Sequence, residues 1–593
     1  MLRLVRVQLL RPIRHHIRPL PVPRAAPVPH GRFAVQQPCI IFRSLSSTSA
    51  RCNESTPVLA NGDTESTSER IPETSLDQHK PGSGPVLEPV AEPIPSPVPT
   101  VQIYHQRKGR VMVLNRPESL NALTEEMITA ILDNFQAWDQ TDINALVIEE
   151  SEDGRAFCAG VDAIRLAELI NEKTDESRAK ALGLLNKTYT AQHLLATLDT
   201  PLVAILDGIT MGGGLGLAIH APVRLATEET VVSVAEGRVG FFIGGGVSFF
   251  LSRMPDGDPV GKFLALSGYK LKGIETVMAG IATHYIPSER IPSLIARLGA
   301  LESSDIRAIN LIINEFVGSA PSTDDWKNWI LGGERGDLIQ RCFAKDTLPE
   351  ILRALEAEKS EFASEIIKLI RRQRPQYLLL TLKQLKMADT MDLASCFRMD
   401  YQIAKAMIHD TDSEFSEGVR LVLKEKSPEP IQWSPDLETV LGNIKQYQKQ
   451  IDTQFLPQLD FGAKSEELPL LTDRTYKFYA HRTVTGLPSI EDVRIVVTGE
   501  VKSVGEFALT RQEVIDWFAK NWGTFLDDDD LDQTSRLPKE LTGGAKYFVE
   551  NWRDPAQTPG ERRREMWGVR QRVEDILDRK TTVIGDGYLK WKA

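Results

Sequence analysis

One isolated carboxylate and two clusters of glycine are the residues of this chain best suited to chemistry. The stretch "AEGRVGFFIGGG", residues 235 to 246, sets Glu236 shortly ahead of a triple glycine in an otherwise almost wholly apolar segment. Burying a carboxylate unpaired is expensive, so such a group is paired, neutralised, or used as a base or nucleophile. Upstream, "CAGVD" and "MGGGLG" place glycine at 160 and at 212 to 214. Glycine lets backbone approach a ligand closely, and an amide at a helix amino terminus is unpaired and lies at the positive end of the helix dipole. Two such amides facing one carbonyl make an oxyanion hole, which contributes about 2.7 to 4 kcal/mol per donor to a reaction passing through an oxyanion. The same glycines also suit tight helix and strand packing, and neither motif is specific alone.

Alternating strands and helices must position these groups. "GRVMVLNRP", "NALVIEE" and "PLVAILDG" are expected strands. "LTEEMITAILDNFQAW" places Met127, Ile128, Ile131, Leu132, Phe135 and Trp138 on one helical stripe. "RAFCAGVDAIRLAEL" reads as a strand running into a glycine turn, with Asp162 capping the helix that follows. "ITMGGGLGLAIHA" is a glycine-rich entry to another helix, and "VRLATEETVVSV" supplies further short strands. This alternation predicts an α/β layer architecture.

Taken in order, "AFCAGVD", "DGITMGGGLGLAIHA" and "AEGRVGFFIGGG" resemble the crotonase superfamily, whose members bind acyl-CoA thioesters and stabilise an enolate or tetrahedral oxyanion between two backbone amides. Within it the chain is most similar to the 3-hydroxyisobutyryl-CoA hydrolases of valine breakdown. "VLNRPESLNALTEEM", "FLALSGYKLKGIETVMAGIATHYIPSE" and "FSEGVRLVLKEKSPEPIQWSP" extend that likeness from Val101 to Val440. The resemblance implies a crotonase-like ββα spiral core at 101–290, a helical region at 291–450, and a mixed or helical extension at 451–593 outside the hydrolase pattern. It implies an oxyanion hole from the backbone amides of Val161 and Gly213, Glu236 as the catalytic carboxylate, and Thr188, Gly212 and Gly214 beside the substrate. It implies no metal, and no cofactor beyond the coenzyme A carried by the substrate.

Several positions depart from that family. Its loop "FPDVGGG" reads "FFIGGG" here, so the catalytic aspartate has no counterpart. Thr188, in "NKTY", stands where the family has a substrate-contacting glutamate, and Ala235 replaces a proline. Gly216 falls where hydratases of the superfamily carry another glutamate, which disfavours hydration. The resemblance therefore implies a hydrolase with an incomplete catalytic set. In fungi, homologues of the hydrolase are built into the mitochondrial small ribosomal subunit, which implies a second role in contact with its proteins and, locally, its rRNA.

The ends of the chain fit a mitochondrial matrix protein. From Met1 to Arg51 there is no acidic residue and no lysine but nine arginines, the pattern of a transit peptide cleaved between Arg43 and Cys52. Residues 52–100, rich in Pro, Ser and Glu, are expected to be a disordered linker. With 41% hydrophobic and 25% charged residues over 593 positions, the composition is that of a multi-domain globular protein with no membrane insertion. The five cysteines lack disulfide or metal-ligand spacing, and His409 and Asp410 have no second histidine at ligand distance. A net charge of −11 excludes a protein that coats nucleic acid by bulk electrostatics. Local phosphate contact is then expected from Arg562, Arg563, Arg564, Arg570 and Arg572. Lys368, Arg371, Arg372 and Arg374 suit either coenzyme phosphates or a solvated helix face. The resemblance also implies that the helical region covers the acyl site and supports an oligomer. The tryptophans and arginines of the extension suit either an interface or a small packed subdomain, and its removal is expected to leave the core folded.

Overall fold

The computed structural model describes residues 98–139, 141, 143–151, 155–410, 414–456, 468–476, 486–500, 509–522 and 567–592. The expected transit segment, nearly all of the linker, and Arg562 to Arg564 lie outside them. Nine strands form the core: β1 (Val101–Gln106), β2 (Gly109–Leu114), β3 (Leu146–Glu150), β4 (Leu202–Leu206), β5 (Ile209–Met211), β6 (Val223–Ala226), β7 (Val231–Ser233), β8 (Leu271–Lys272) and β9 (His284–Tyr285). Six make one sheet in the order β1-β2-β3-β4-β6-β9, antiparallel between β1 and β2 and parallel thereafter. A second sheet runs β5-β7-β8.

From β2 inward the larger sheet is buried on both faces, which is why those strands read as nearly continuous apolar runs. Val111, Val113, Val147, Val203, Ile205 and Val223 join one cluster with Leu294 and Ile295 of helix Ile291–Gly299 and Ile309 and Ile313 of helix Ile306–Ile313. The alternate residues Met112, Leu114, Leu146, Ile148, Ala204 and Leu206 belong to the main core. That core includes helices α1 (Glu125–Trp138), α2 (Ala163–Asn171), α3 (Asp175–Ala196) and α4 (Gly213–Ala218). The predicted stripe of α1 is buried at Met127, Ile128, Ile131, Phe135 and Trp138. Asp162 caps α2, its carboxylate accepting from the Arg165 N–H at 3.1 Å.

The helical region expected at 291–450 is broken into separate helices where capping residues occur. Gly333–Phe343, Leu348–Glu358 and Glu361–Ile370 are separate helices, with Thr347 and Ser360 at the amino caps of the last two. Pro375–Ala388 and Leu393–His409 follow.

The carboxy-terminal extension is fastened to the core rather than appended to it. Arg474 donates to Asp139 at 2.6 Å and to Asp199 at 2.9 Å, and the Tyr476 hydroxyl donates to the His220 carbonyl at 3.0 Å. Helix Val569–Lys580 carries Arg572, whose Nη2 donates to Asp256 Oδ1 at 2.6 Å and whose guanidinium lies 5.4 Å from the Trp326 ring. One sequence expectation is thereby corrected. Arg572, expected at an RNA phosphate, is 2% exposed and committed to Asp256, while Arg570 pairs with Asp516. The arginines of the extension also neutralise core carboxylates at Asp139, Asp199 and Asp256. Val514, Ile515 and Phe518 of helix Arg511–Asn521 and the adjoining Trp522 are buried in the same cluster as the main core, with the Trp522 indole N–H donating to the Gly486 carbonyl. No helix among the described residues is long and apolar enough to cross a membrane.

Candidate active site

Two orphan amides meet where α4 begins. Val161 is in a parallel bridge with Leu123, which donates to the Gly160 carbonyl and accepts from the Asp162 N–H. In that geometry the N–H of Val161 itself points away from Leu123. Gly213 is the first residue of α4, so its N–H has no partner within the helix. A Cβ placed on Gly160 would stand 3.0 Å from the Gly213 nitrogen, and one on Gly213 would stand 3.2 Å from the Val161 nitrogen. The amides are therefore neighbours, and neither has an acceptor among the described residues. Gly160 also holds φ +101°, a conformation that side chains rarely adopt.

Both amides border a cavity of about 170 Å3 whose walls are mostly apolar, among them Leu166, Met211, Phe241, Phe242 and Phe415. Glu236 lines the same cavity from the first position of a single 3-10 turn, Glu236–Val239. The turn is fixed from behind: the Glu236 carbonyl accepts from the Phe241 N–H, and the Gly237 carbonyl accepts from the Arg374 N–H, each at 3.0 Å. Oε2 of Glu236 is buried without a hydrogen-bond partner. Burial pushes this carboxyl up to about 7, opposed in part by the backbone amides of Glu236 and Ala235.

An acidic neighbour also exists, though not in the loop where the family keeps one. Asp400, on helix Leu393–His409, is fully buried behind the triple glycine. Its Oδ2 accepts from the Gly246 N–H at 2.8 Å and its Oδ1 from Gln384 Nε2 at 2.7 Å, while the same Gln384 amide donates to the Ile243 carbonyl at 2.6 Å. Burial, and secondarily the charge of Glu236, push Asp400 up to about 8 against these hydrogen bonds. His220 adds a contact at 3.1 Å to the Gly245 carbonyl. Asp400, Gln384 and His220 are positioning residues that fix the loop from Ile243 to Gly246. A lone carboxylate on an apolar helix face, in "FRMDYQI", was the sequence signal for Asp400.

Of the remaining predicted site residues, Gly212 lines the cavity, whereas Thr188 and Gly214 do not. Thr188 is corrected by helix phase: its hydroxyl donates to the Leu184 carbonyl of its own helix at 2.7 Å, and the cavity receives Leu185 and Tyr189 instead. Gly214 faces strand backbone, since a Cβ there would stand 2.2 Å from the Cys158 carbonyl oxygen. Among the basic candidates, Arg374 is buried against Glu414 and Arg371 pairs with Glu438. Arg372 is exposed beside Arg238, whose charge is disfavoured by burial and then by Arg372. Arg238, two residues beyond Glu236, has no acidic partner among the described residues and suits an anionic ligand group.

The sequence pattern of the enoyl-CoA hydratase/isomerase family matches residues 109–445. Small ribosomal subunit protein mS47 of Neurospora crassa is 33% identical over 506 residues, covering 82% of this chain and 86% of that protein. The mitochondrial 3-hydroxyisobutyryl-CoA hydrolase of Rattus norvegicus is 35% identical over 361 residues, covering 60% of this chain and 91% of that protein. In three dimensions the chain is similar to a carnitinyl-CoA dehydratase from Mycobacterium thermoresistibile, with TM-score 0.52 and 26% identity over 61% of this chain and 97% of the other. The likeness extends through the two amides that converge on the cavity of Glu236, and the chain belongs to the enoyl-CoA hydratase/isomerase family, the crotonase superfamily that its glycine motifs resemble.

Proposed function

We propose that this protein hydrolyses 3-hydroxyisobutyryl-CoA in the mitochondrial matrix. The convergence of the free N–H groups of Val161 and Gly213 on the cavity that holds Glu236 carries this reading. The thioester oxygen accepts from both amides, and the half-buried cation Arg238 lies at the turn where coenzyme phosphate would pass. Glu236 takes a proton from water as its oxygen bonds to the carbonyl carbon, giving a tetrahedral oxyanion held by the two amides. Collapse breaks the carbon–sulfur bond, and the proton on Glu236 passes to the departing thiolate. A base whose affinity for protons lies near neutrality suits that exchange. Hydration is less well served: Glu236 is the only carboxylate lining the cavity among the described residues, and Gly216 has no room for a second, since a Cβ there would stand 2.6 Å from Gln192 Nε2. Comparing thioester hydrolysis by the wild-type protein and Glu236→Gln tests the reading. The substitution is expected to lower the rate by about 100-fold or more, and equal rates would remove Glu236 from catalysis.

A second role, as a component of the mitochondrial small ribosomal subunit, is favoured by the length of the likeness to the Neurospora protein. That match covers 82% of this chain, against 60% for the rat hydrolase, and so reaches well outside the hydrolase portion. With Arg570 and Arg572 engaged internally, contact with subunit proteins is better supported than contact with rRNA through those two residues. Sedimentation of mitochondrial lysate tests this: a fraction of the protein should travel with the small subunit at physiological salt, and its absence there would exclude the role.

A further inference from the structure

Tyr189 is left over by the mechanism, yet it occupies the cavity. Besides Glu236, it is the only lining residue with a side-chain oxygen or nitrogen among the described residues. It is 3% exposed, and its hydroxyl has no hydrogen-bond partner among those residues. Its place is made by the triple glycine, since a Cβ on Gly244 would stand 2.5 Å from the phenolic oxygen. The ring packs at 6.2 Å from Phe397, so a phenylalanine would fill the same volume and keep the same neighbour.

A hydroxyl at a cavity wall with no protein partner is available to hydrogen-bond a group of the ligand. The carbonyl of a bound thioester is already accounted for by Val161 and Gly213, and its carbon by Glu236. What remains for Tyr189 is a polar group on the acyl chain itself. Resting on the acyl-CoA reading above, we propose that Tyr189 is the specificity-determining contact for a hydroxyl substituent on the acyl group, so that the cavity selects hydroxyacyl thioesters over their unsubstituted counterparts.

The test is calorimetric, on the full-length protein and Tyr189→Phe. The probes are two non-hydrolysable coenzyme A analogues in which CH2 replaces the thioester sulfur, one carrying the 3-hydroxyisobutyryl group and the other isobutyryl. Wild type is expected to bind the hydroxyl-bearing analogue about 10-fold more tightly. Tyr189→Phe is expected to bind both alike, and without ligand to melt at or above the wild-type temperature, because the hydroxyl removed had no partner. Equal affinities in wild type, retained preference in Tyr189→Phe, or a melting temperature lowered by several degrees would each overturn the proposal. If wild type binds neither analogue, the acyl-CoA reading fails and this inference with it; equal binding of both defeats only the role of Tyr189.

Discussion

Replacing Arg572 by methionine is expected to destabilise the protein by about 3 to 5 kcal/mol, the usual result of removing one partner from a buried ion pair. The guanidinium is 2% exposed and faces Asp256, 9% exposed, and it also donates to the Pro488 carbonyl at 3.2 Å. Asp575, the other carboxylate beside it, keeps a contact at 2.8 Å with Arg579. Asp256 therefore bears most of the loss, since beyond Arg572 it accepts from the Ile490 N–H at 3.2 Å. Methionine refills the space against Trp326, so the loss is electrostatic and not a cavity effect. Adding Asp256→Leu removes the stranded charge and should restore half or more of the stability, since an apolar pair of similar volume often replaces a buried ion pair without penalty. Urea denaturation followed by tryptophan fluorescence, at unchanged m-value, measures both. A loss below about 1 kcal/mol for Arg572→Met, or a double variant no more stable than the single one, would refute the reasoning.

Hydrolysis should rise with pH to a plateau, with a midpoint near the value of about 7 given to Glu236 by burial, because only the ionised carboxylate accepts the proton of water; a midpoint near the ordinary carboxylate value would contradict it. Asp400→Asn should destabilise the fold by about 1 to 3 kcal/mol because both Asp400 oxygens accept N–H donors and an amide offers only one acceptor. Asp400 is raised on folding, so its contribution is fully present below its unfolded value and is lost as pH rises through about 8. The stability gap between wild type and Asp400→Asn should accordingly narrow from pH 5 to pH 8.5 in urea titrations. An unchanged gap would mean that Asp400 titrates alike in the folded and unfolded chain.

Local signals in the sequence were the reliable ones. The strands were legible because burial on both faces writes unbroken apolar runs, and Asp162 because a cap acts within three residues. Glu236, Gly212 and Gly213 line one cavity, each placed there by its own local turn. Thr188 was misplaced by one residue of helix phase, about 100° of rotation, which exchanges the cavity for the carbonyl of Leu184. The partners of the triple glycine escaped notice for a different reason: Asp400 and Gln384 arrive from 154 and 141 residues downstream, and no local pattern encodes that meeting. The arginines of the last helix showed the same limit, since a basic run looks alike whether it faces solvent or, as for Arg572, a carboxylate far upstream.

The contact between Asp256 and Arg572 spans 316 residues of chain, and synthesis runs from one to the other. Closing so long a loop carries a length-dependent entropy of about 5 kcal/mol, so the final helix gains by docking only on a core already formed. Until that helix is made, Asp256 and the face of Trp326 stay open to water, and the core matures with an uncapped acidic notch. Docking is then a late event that the transition state for core folding does not contain. Changes at Arg572 should leave the folding rate nearly untouched and act on unfolding, so the last segment made sets how long the finished protein endures.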